Sequence, residues 1–215
     1  MTKILGISAF YHDSAACLLV NGKIVAAAQE ERFTRIKHDA SFPINSIKFC
    51  LKEQKISLRQ VDYIVFYENP IYKLDRRLDN SDNPDIGSQL DISSSLLIPA
   101  IISKCTGWEI SEVSKKILYS NHHLSHAASA FFCSGFEEST IIVADAVGEH
   151  ETVSVYTANS SCLNKVWSLN FPQSIGLFYS AMTYFCGFKV NSGEYKLMGL
   201  APYGRPKYSE IIMKN

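Results

Sequence analysis

The chain has 215 residues, 47% of them hydrophobic and 12% aromatic, which is enough apolar material for a domain-sized core and too much for a disordered segment. Lys plus Arg and Asp plus Glu both number 21, so no overall field recruits nucleic acid or an anionic membrane, and a small-molecule partner becomes the default. The six cysteines stand singly without a CxxC pair, and no stretch approaches ~18 uninterrupted apolar residues, so a reducing cytoplasm is the expected location.

Lys3 to Phe10 is a short apolar run, and after the polar Tyr11-His12-Asp13 a second run, Ser14 to Val20, leads to Asn21-Gly22. Both central residues of a type I′ turn need positive φ, so that pair predicts a hairpin, with Lys23 to Ala28 returning as the third strand of an antiparallel meander. Ser41 is placed to cap a helix starting near Pro43, with Ile44, Ile47 and Leu51 on one face. A strand is expected over Val61 to Tyr67, then a polar surface excursion from Asn69 to Ser88. A buried helix around Leu96 to Ile101 and a short strand at Ile117 to Tyr119 follow.

From Thr140 the opening pattern repeats: strand Thr140 to Ala144, the polar loop Asp145-Ala146-Val147-Gly148, strand Thr152 to Ala158, a turn, and strand Lys165 to Leu169. Two such meanders, each followed by helices, predict an α/β chain built as a duplicated ribonuclease-H-like fold of the actin type, with a first half over residues 1–139 and a second over 140–215. The second half is too short for its closing strand-helix units, so a truncated second half is expected.

The densest chemistry lies in Asn121-His122-His123-Leu124-Ser125-His126, where Ser120 or Asn121 is available as the N-cap. On a helix His122 and His126 face the same way, and two imidazoles there can bind one borderline metal ion if a third ligand comes from elsewhere, Asp145 being the candidate. The competing reading is a pair of histidines that cap the helix inside a polar core. His123 points elsewhere, to orient a ligand, contact substrate or pack. The Asp145–Gly148 loop and the helix entry at Ser174-Ile175-Gly176 both offer backbone groups to an anion. Tyr11-His12-Asp13-Ser14 is the equivalent loop of the first half, and the charged run Glu30 to Asp39 is either a solvated face or an organiser of a phosphate-binding cation.

Four ordered motifs, Phe10-Tyr11-His12-Asp13-Ser14-Ala15-Ala16, Glu30 to His38, Asn121 to Ala128 and Gly193 to Gly204, resemble the O-carbamoyltransferases of nodulation-factor and antibiotic biosynthesis over essentially the whole chain. The resemblance implies an actin-like domain related to the tRNA threonylcarbamoyl transferases, followed in the complete enzyme by a second domain that uses carbamoyl phosphate. In such enzymes ATP and carbamoyl phosphate give carbamoyl-adenylate, and a small-molecule hydroxyl acceptor then attacks the carbamoyl carbon. The resemblance further implies Fe2+ held by His122, His126, Asp145 and an aspartate beyond Asn215. By the same motifs His12 stands near the acceptor hydroxyl as its general base and Lys37 near the nucleotide or carbamoyl group. Asp145, Ala146 and Val147 touch the nucleotide phosphate, with Ser174 and Gly176 nearby. Tyr195 departs from the glycine expected between Glu194 and Lys196. The alternatives are another ATP-dependent phosphotransferase of the same fold, a threonylcarbamoyl-type transferase, or a fragment inactive by itself; the neutral charge weighs against a tRNA surface.

Overall fold

The structure is a computed structural model that describes residues 1–79 and 97–214. It divides into two compact units, one of Met1–Phe136 with Gly148–His150, the other of Glu137–Val147 with Glu151–Asn215.

In the first unit β1 (Lys3–Ser8), β2 (Ala15–Val20) and β3 (Lys23–Gln29) form the expected meander. Asn21 at φ 51° and Gly22 at φ 76° supply the two left-handed residues of its hairpin turn. The chain continues through α1 (Glu31–Thr34) and α2 (Ile44–Glu53) to β4 (Tyr63–Phe66). It then runs through α3 (Pro70–Asp79), α4 (Ile98–Thr106) and α5 (Ile110–Ser114) to β5 (Ile117–Tyr119) and α6 (His122–Phe132). β4 lies parallel to β1 and β5 parallel to β4, giving the order β3-β2-β1-β4-β5 of a ribonuclease-H-like sheet, with helices as the crossovers that parallel neighbours require.

The pleat explains the core. Leu5, Ile7, Ala16, Leu18, Ile64 and Phe66 alternate onto one sheet face and join Ile47 and Cys50 of α2 and Ile98 and Ile102 of α4 in a single buried cluster. Burying each large apolar side chain there contributes about 1.5–3 kcal/mol. On the opposite face the small Gly6, Cys17 and Ala27 leave an open cavity of about 790 Å³.

Two expectations change. Ser41 does not cap α2: its amide donates to Asp39 Oδ1 at 2.8 Å, and Pro43 holds the cap position. The helix start is instead closed by the buried carboxylate of Glu30, which accepts from Asn45 N (3.1 Å), Asn45 Nδ2 (2.7 Å), Ser46 N (2.8 Å) and Ser46 Oγ (2.7 Å). A carboxylate at a helix N-terminus also complements the macrodipole, which a serine does not. The expected polar excursion is helical over Pro70–Asp79, started by Asn69, whose Oδ1 accepts from Ile71 N at 3.0 Å. The remainder of that segment and Leu96 lie outside the described residues.

The second unit is a bare meander of β6 (Glu138–Ala144), β7 (Glu151–Asn159) and β8 (Cys162–Asn170), in the order β6-β7-β8. The helices α7 (Ile175–Phe185), α8 (Glu194–Leu200) and α9 (Ser209–Lys214) follow. Ile141, Val143, Val153 and Tyr156 are buried, while Phe185 is 83% exposed and Met213 86%. Tyr195 falls in the first turn of α8, where a side chain needs no special backbone. Among the described residues no helix is long and apolar enough to cross a membrane.

Candidate functional site

α6 begins where β5 ends, with Asn121 in extended backbone at its N-cap position but making no side-chain cap. The first amide of α6 is satisfied by Glu149, whose two carboxylate oxygens both accept from His122 N at 2.9 Å while Oε1 also accepts from Asn69 N at 2.7 Å. Gly148 beside it sits in tight space: a Cβ there would stand 3.1 Å from His122 Cβ and 3.1 Å from His123 Cδ2.

That anchored turn presents His122 and His126 on one face, with their Nε2 atoms 3.1 Å apart. Two nitrogens bound about 2.1 Å from a single ion at angles between right and tetrahedral lie about 3.0–3.4 Å apart, so the pair has the spacing of two ligands of one metal. His122 is largely enclosed and His126 exposed, which leaves the outer side open for further ligands. His123 is fully buried in the first turn of α6.

Behind His122 lies a polar group that the sequence reading did not single out. Glu68, 2% exposed, receives Lys73 Nζ on Oε1 at 2.8 Å, and its Oε2 lies 3.6 Å from His122 Nδ1. Burial alone would push the Glu68 carboxyl up, but the His122 ring and the Lys73 ammonium hold it below the ordinary carboxylate range. The Tyr67 ring stands edge-on to His122 at 5.5 Å, and burial with the neighbouring Glu68 carboxylate raises its phenol.

His12 follows β1 in an exposed loop, its Nδ1 2.7 Å from Asp13 Oδ2, and the other oxygen of Asp13 is 3.0 Å from His38 Nδ1. One carboxylate therefore bridges two imidazoles. With its Nδ1 hydrogen given to Asp13, His12 keeps Nε2 as its proton-accepting atom. Burial would raise the Asp13 carboxyl, but the two rings outweigh it and hold it below the usual range. Asp13 and His38 are both left-handed (φ 52° and 57°), a conformation secured by His38 N donating to Glu31 Oε2 at 3.0 Å. The charged run from Glu30 is anchored at its buried ends, Glu30 and Asp39, while Arg32, Arg35, Lys37 and His38 between them are exposed. Glu30 caps α2, and Asp39 accepts from Thr34 Oγ1 (2.7 Å) and Ser41 N (2.8 Å). Lys37 is exposed, and the residue the loop brings to Asp13 is its neighbour His38.

In the second unit Asp145 sits just past the end of β6, and its Oδ1 accepts from Ala146 N at 2.7 Å. Ser174 caps α7 by accepting from Leu177 N (3.0 Å) while its hydroxyl donates to Ala146 O (2.7 Å). A Cβ on Gly176 would lie 2.5 Å from Asp145 O and 2.7 Å from Ala146 N, so α7 approaches this loop as closely as only glycine permits. Asp145, Ala146, Ser174 and Gly176 are therefore brought together as one backbone cradle, with Val147 following it.

A family model described as the carbamoyltransferase N-terminus matches residues 3–215. The chain is 49% identical to the uncharacterised protein sll1178 of Synechocystis sp. over 100% of its own length and 37% of that protein. It is 34% identical to the nodulation protein NolNO of Sinorhizobium fredii over 92% of its own length and 28% of that protein, so it spans about a third of these relatives. Among solved structures, YeaZ from Pseudomonas aeruginosa aligns at 13% identity with a TM-score of 0.46, covering 80% of this chain and 68% of that one.

Proposed function

The chain belongs to the carbamoyltransferase N-terminus family, and from that premise we propose that it forms the acceptor-side part of an ATP-dependent O-carbamoyltransferase working in the cytoplasm. Carbamoyl phosphate and ATP, used by a further domain of the longer protein, supply carbamoyl-adenylate. The acceptor hydroxyl then attacks the carbamoyl carbon, AMP leaves, and the hydroxyl proton goes to a base on this chain. The observation that carries the reading is the pair of Nε2 atoms of His122 and His126 at 3.1 Å.

The donor set fits a borderline divalent cation, since two imidazoles with one carboxylate and open positions suit iron(II), manganese or zinc. Iron(II) is the ion proposed, with Asp145 as the third ligand from this chain. When bound, it would neutralise the adenylate phosphate. Asp145, Ala146 and Val147, held in place by Ser174 and Gly176, would line that phosphate, and exposed Lys37 adds a cation for it to meet. His12 takes the acceptor proton on Nε2, because Asp13 occupies its Nδ1.

The test uses the longer protein with labelled ATP, carbamoyl phosphate and a panel of sugar and aminoglycoside acceptors. Carbamoylated product with stoichiometric AMP is the expected result, and His12→Ala should lower its rate by about 10²–10⁴-fold. Phosphorylated acceptor with ADP would replace this reading by a phosphotransferase.

A further inference from the structure

A buried ion pair is a costly way to stabilise a fold, because removing two charges from water offsets most of their attraction. Glu68 and Lys73 are 2% and 9% exposed and form such a pair at 2.8 Å. Apolar side chains of similar volume would serve the core as well, so the geometry of the pair is the informative part.

Lys73 takes only Oε1, and Oε2 is turned to His122 Nδ1 at 3.6 Å. That Nδ1 is shielded from solvent, so water does not compete for it, and at 3.6 Å the Glu68 carboxylate stands just beyond hydrogen-bond length, a gap that a small turn of the ring closes. On the opposite side of the same ring Nε2 faces His126 Nε2 at 3.1 Å. The helix turn carrying the ring is pinned through the His122 amide by Glu149, and the Tyr67 ring closes its flank. A neutral imidazole carries one hydrogen, and placing it on Nδ1, toward a carboxylate, leaves the lone pair on Nε2.

We propose that Glu68, paired with Lys73, is a positioning residue for His122: it accepts the Nδ1 hydrogen and so presents Nε2 as the metal-facing atom. The proposal rests on reading His122 and His126 as metal ligands. Carboxylates behind metal-bound histidines fix the tautomer and ring orientation in this way, and losing them costs about 10–100-fold in metal affinity. Asn69-Pro70 and α3 acquire a role here, because the helix that begins two residues after Glu68 returns Lys73 to it.

The experiment has two readouts on the full chain. Long-range nitrogen–proton NMR of the metal-free protein reports which His122 nitrogen is protonated. Nδ1 is expected in the wild type, with a shift toward Nε2 in Glu68→Gln and in the double variant Glu68→Leu/Lys73→Met, which leaves no unpaired buried charge. Cobalt(II) titration followed by its visible bands is the second readout. The double variant should bind about 10–100-fold more weakly with altered bands, and His126→Ala should abolish the site.

Cobalt binding unchanged in the double variant, with His126→Ala still abolishing it, overturns the role of Glu68 and leaves the metal reading standing. No cobalt binding by the wild type overturns the metal reading, and the tautomer then decides on Glu68 alone. Wild-type His122 protonated on Nε2 overturns the proposal even if neither variant folds.

Discussion

β1–β3 and β6–β8 are both antiparallel meanders whose first strand ends on a polar loop, yet only the first is extended by two parallel strands with crossover helices. The extension closes one sheet face, and a different polar chemistry comes with it. Among the described residues the buried carboxylates Glu30, Asp39, Glu68 and Glu149, with Lys73 and His123, all belong to the first unit, whereas the polar groups that the second buries are hydroxyls alone, Thr152, Ser154, Thr183 and Tyr156. Helix starts differ in the same sense: α2 and α6 are capped by carboxylates distant in sequence, α7 by its own Ser174. A closed core makes a carboxylate worth burying, because each of its hydrogen bonds gains strength where water does not compete.

The comparison is broken most directly through its cores. Phe66→Ala should cost about 3–5 kcal/mol in urea denaturation, and Phe185→Ala, removing a ring that is 83% exposed, no more than about 0.5 kcal/mol. Equal losses would mean that the two units do not differ in closure. The caps sharpen the contrast. Glu30→Ala strips four hydrogen bonds from the start of α2 and should cost about 2–3 kcal/mol, against about 1 kcal/mol for Ser174→Ala in α7. The smallest effect concerns acid. The Thr34 hydroxyl first, and then Ser41, hold the Asp39 carboxyl below its ordinary value of 3.8. The stability this contributes is fully present above the unfolded value and is lost as pH falls through the lowered folded one. Asp39→Asn should therefore flatten the acid limb of the stability curve measured from about pH 5 downward.

What the sequence disclosed was whatever is local. Asn21-Gly22 announced its turn because both residues had to be left-handed, and His122 and His126 announced a shared face because a helix repeats every 3.6 residues. The carboxylate caps stayed hidden for the opposite reason. Glu149 reaches the His122 amide across 27 residues and Glu30 reaches Asn45 across 15, whereas the nearby candidates, Ser41 for α2 and Ser120 or Asn121 for α6, cap neither helix. Glu68 and Lys73 were legible only once α3 was recognised. Its Asn-Pro start was a helix signal that the polar composition of the segment outweighed.

The clamp on α6 has a mechanical consequence. A slip of that helix by one residue would advance it about 1.5 Å and turn it by about 100°, swinging both histidine rings away from their common bearing. Glu149 blocks the slip because it grips the His122 amide with both oxygens while tied to Asn69, and Arg76 braces the same loop by donating to Gly148 O at 3.1 Å. Gly148 leaves little slack, since even a Cβ added there would stand 3.1 Å from His122 Cβ and from His123 Cδ2. The compass heading of the two rings is thus set by a stop that is not itself part of the pair, and the tolerance of the pair is the tolerance of that stop.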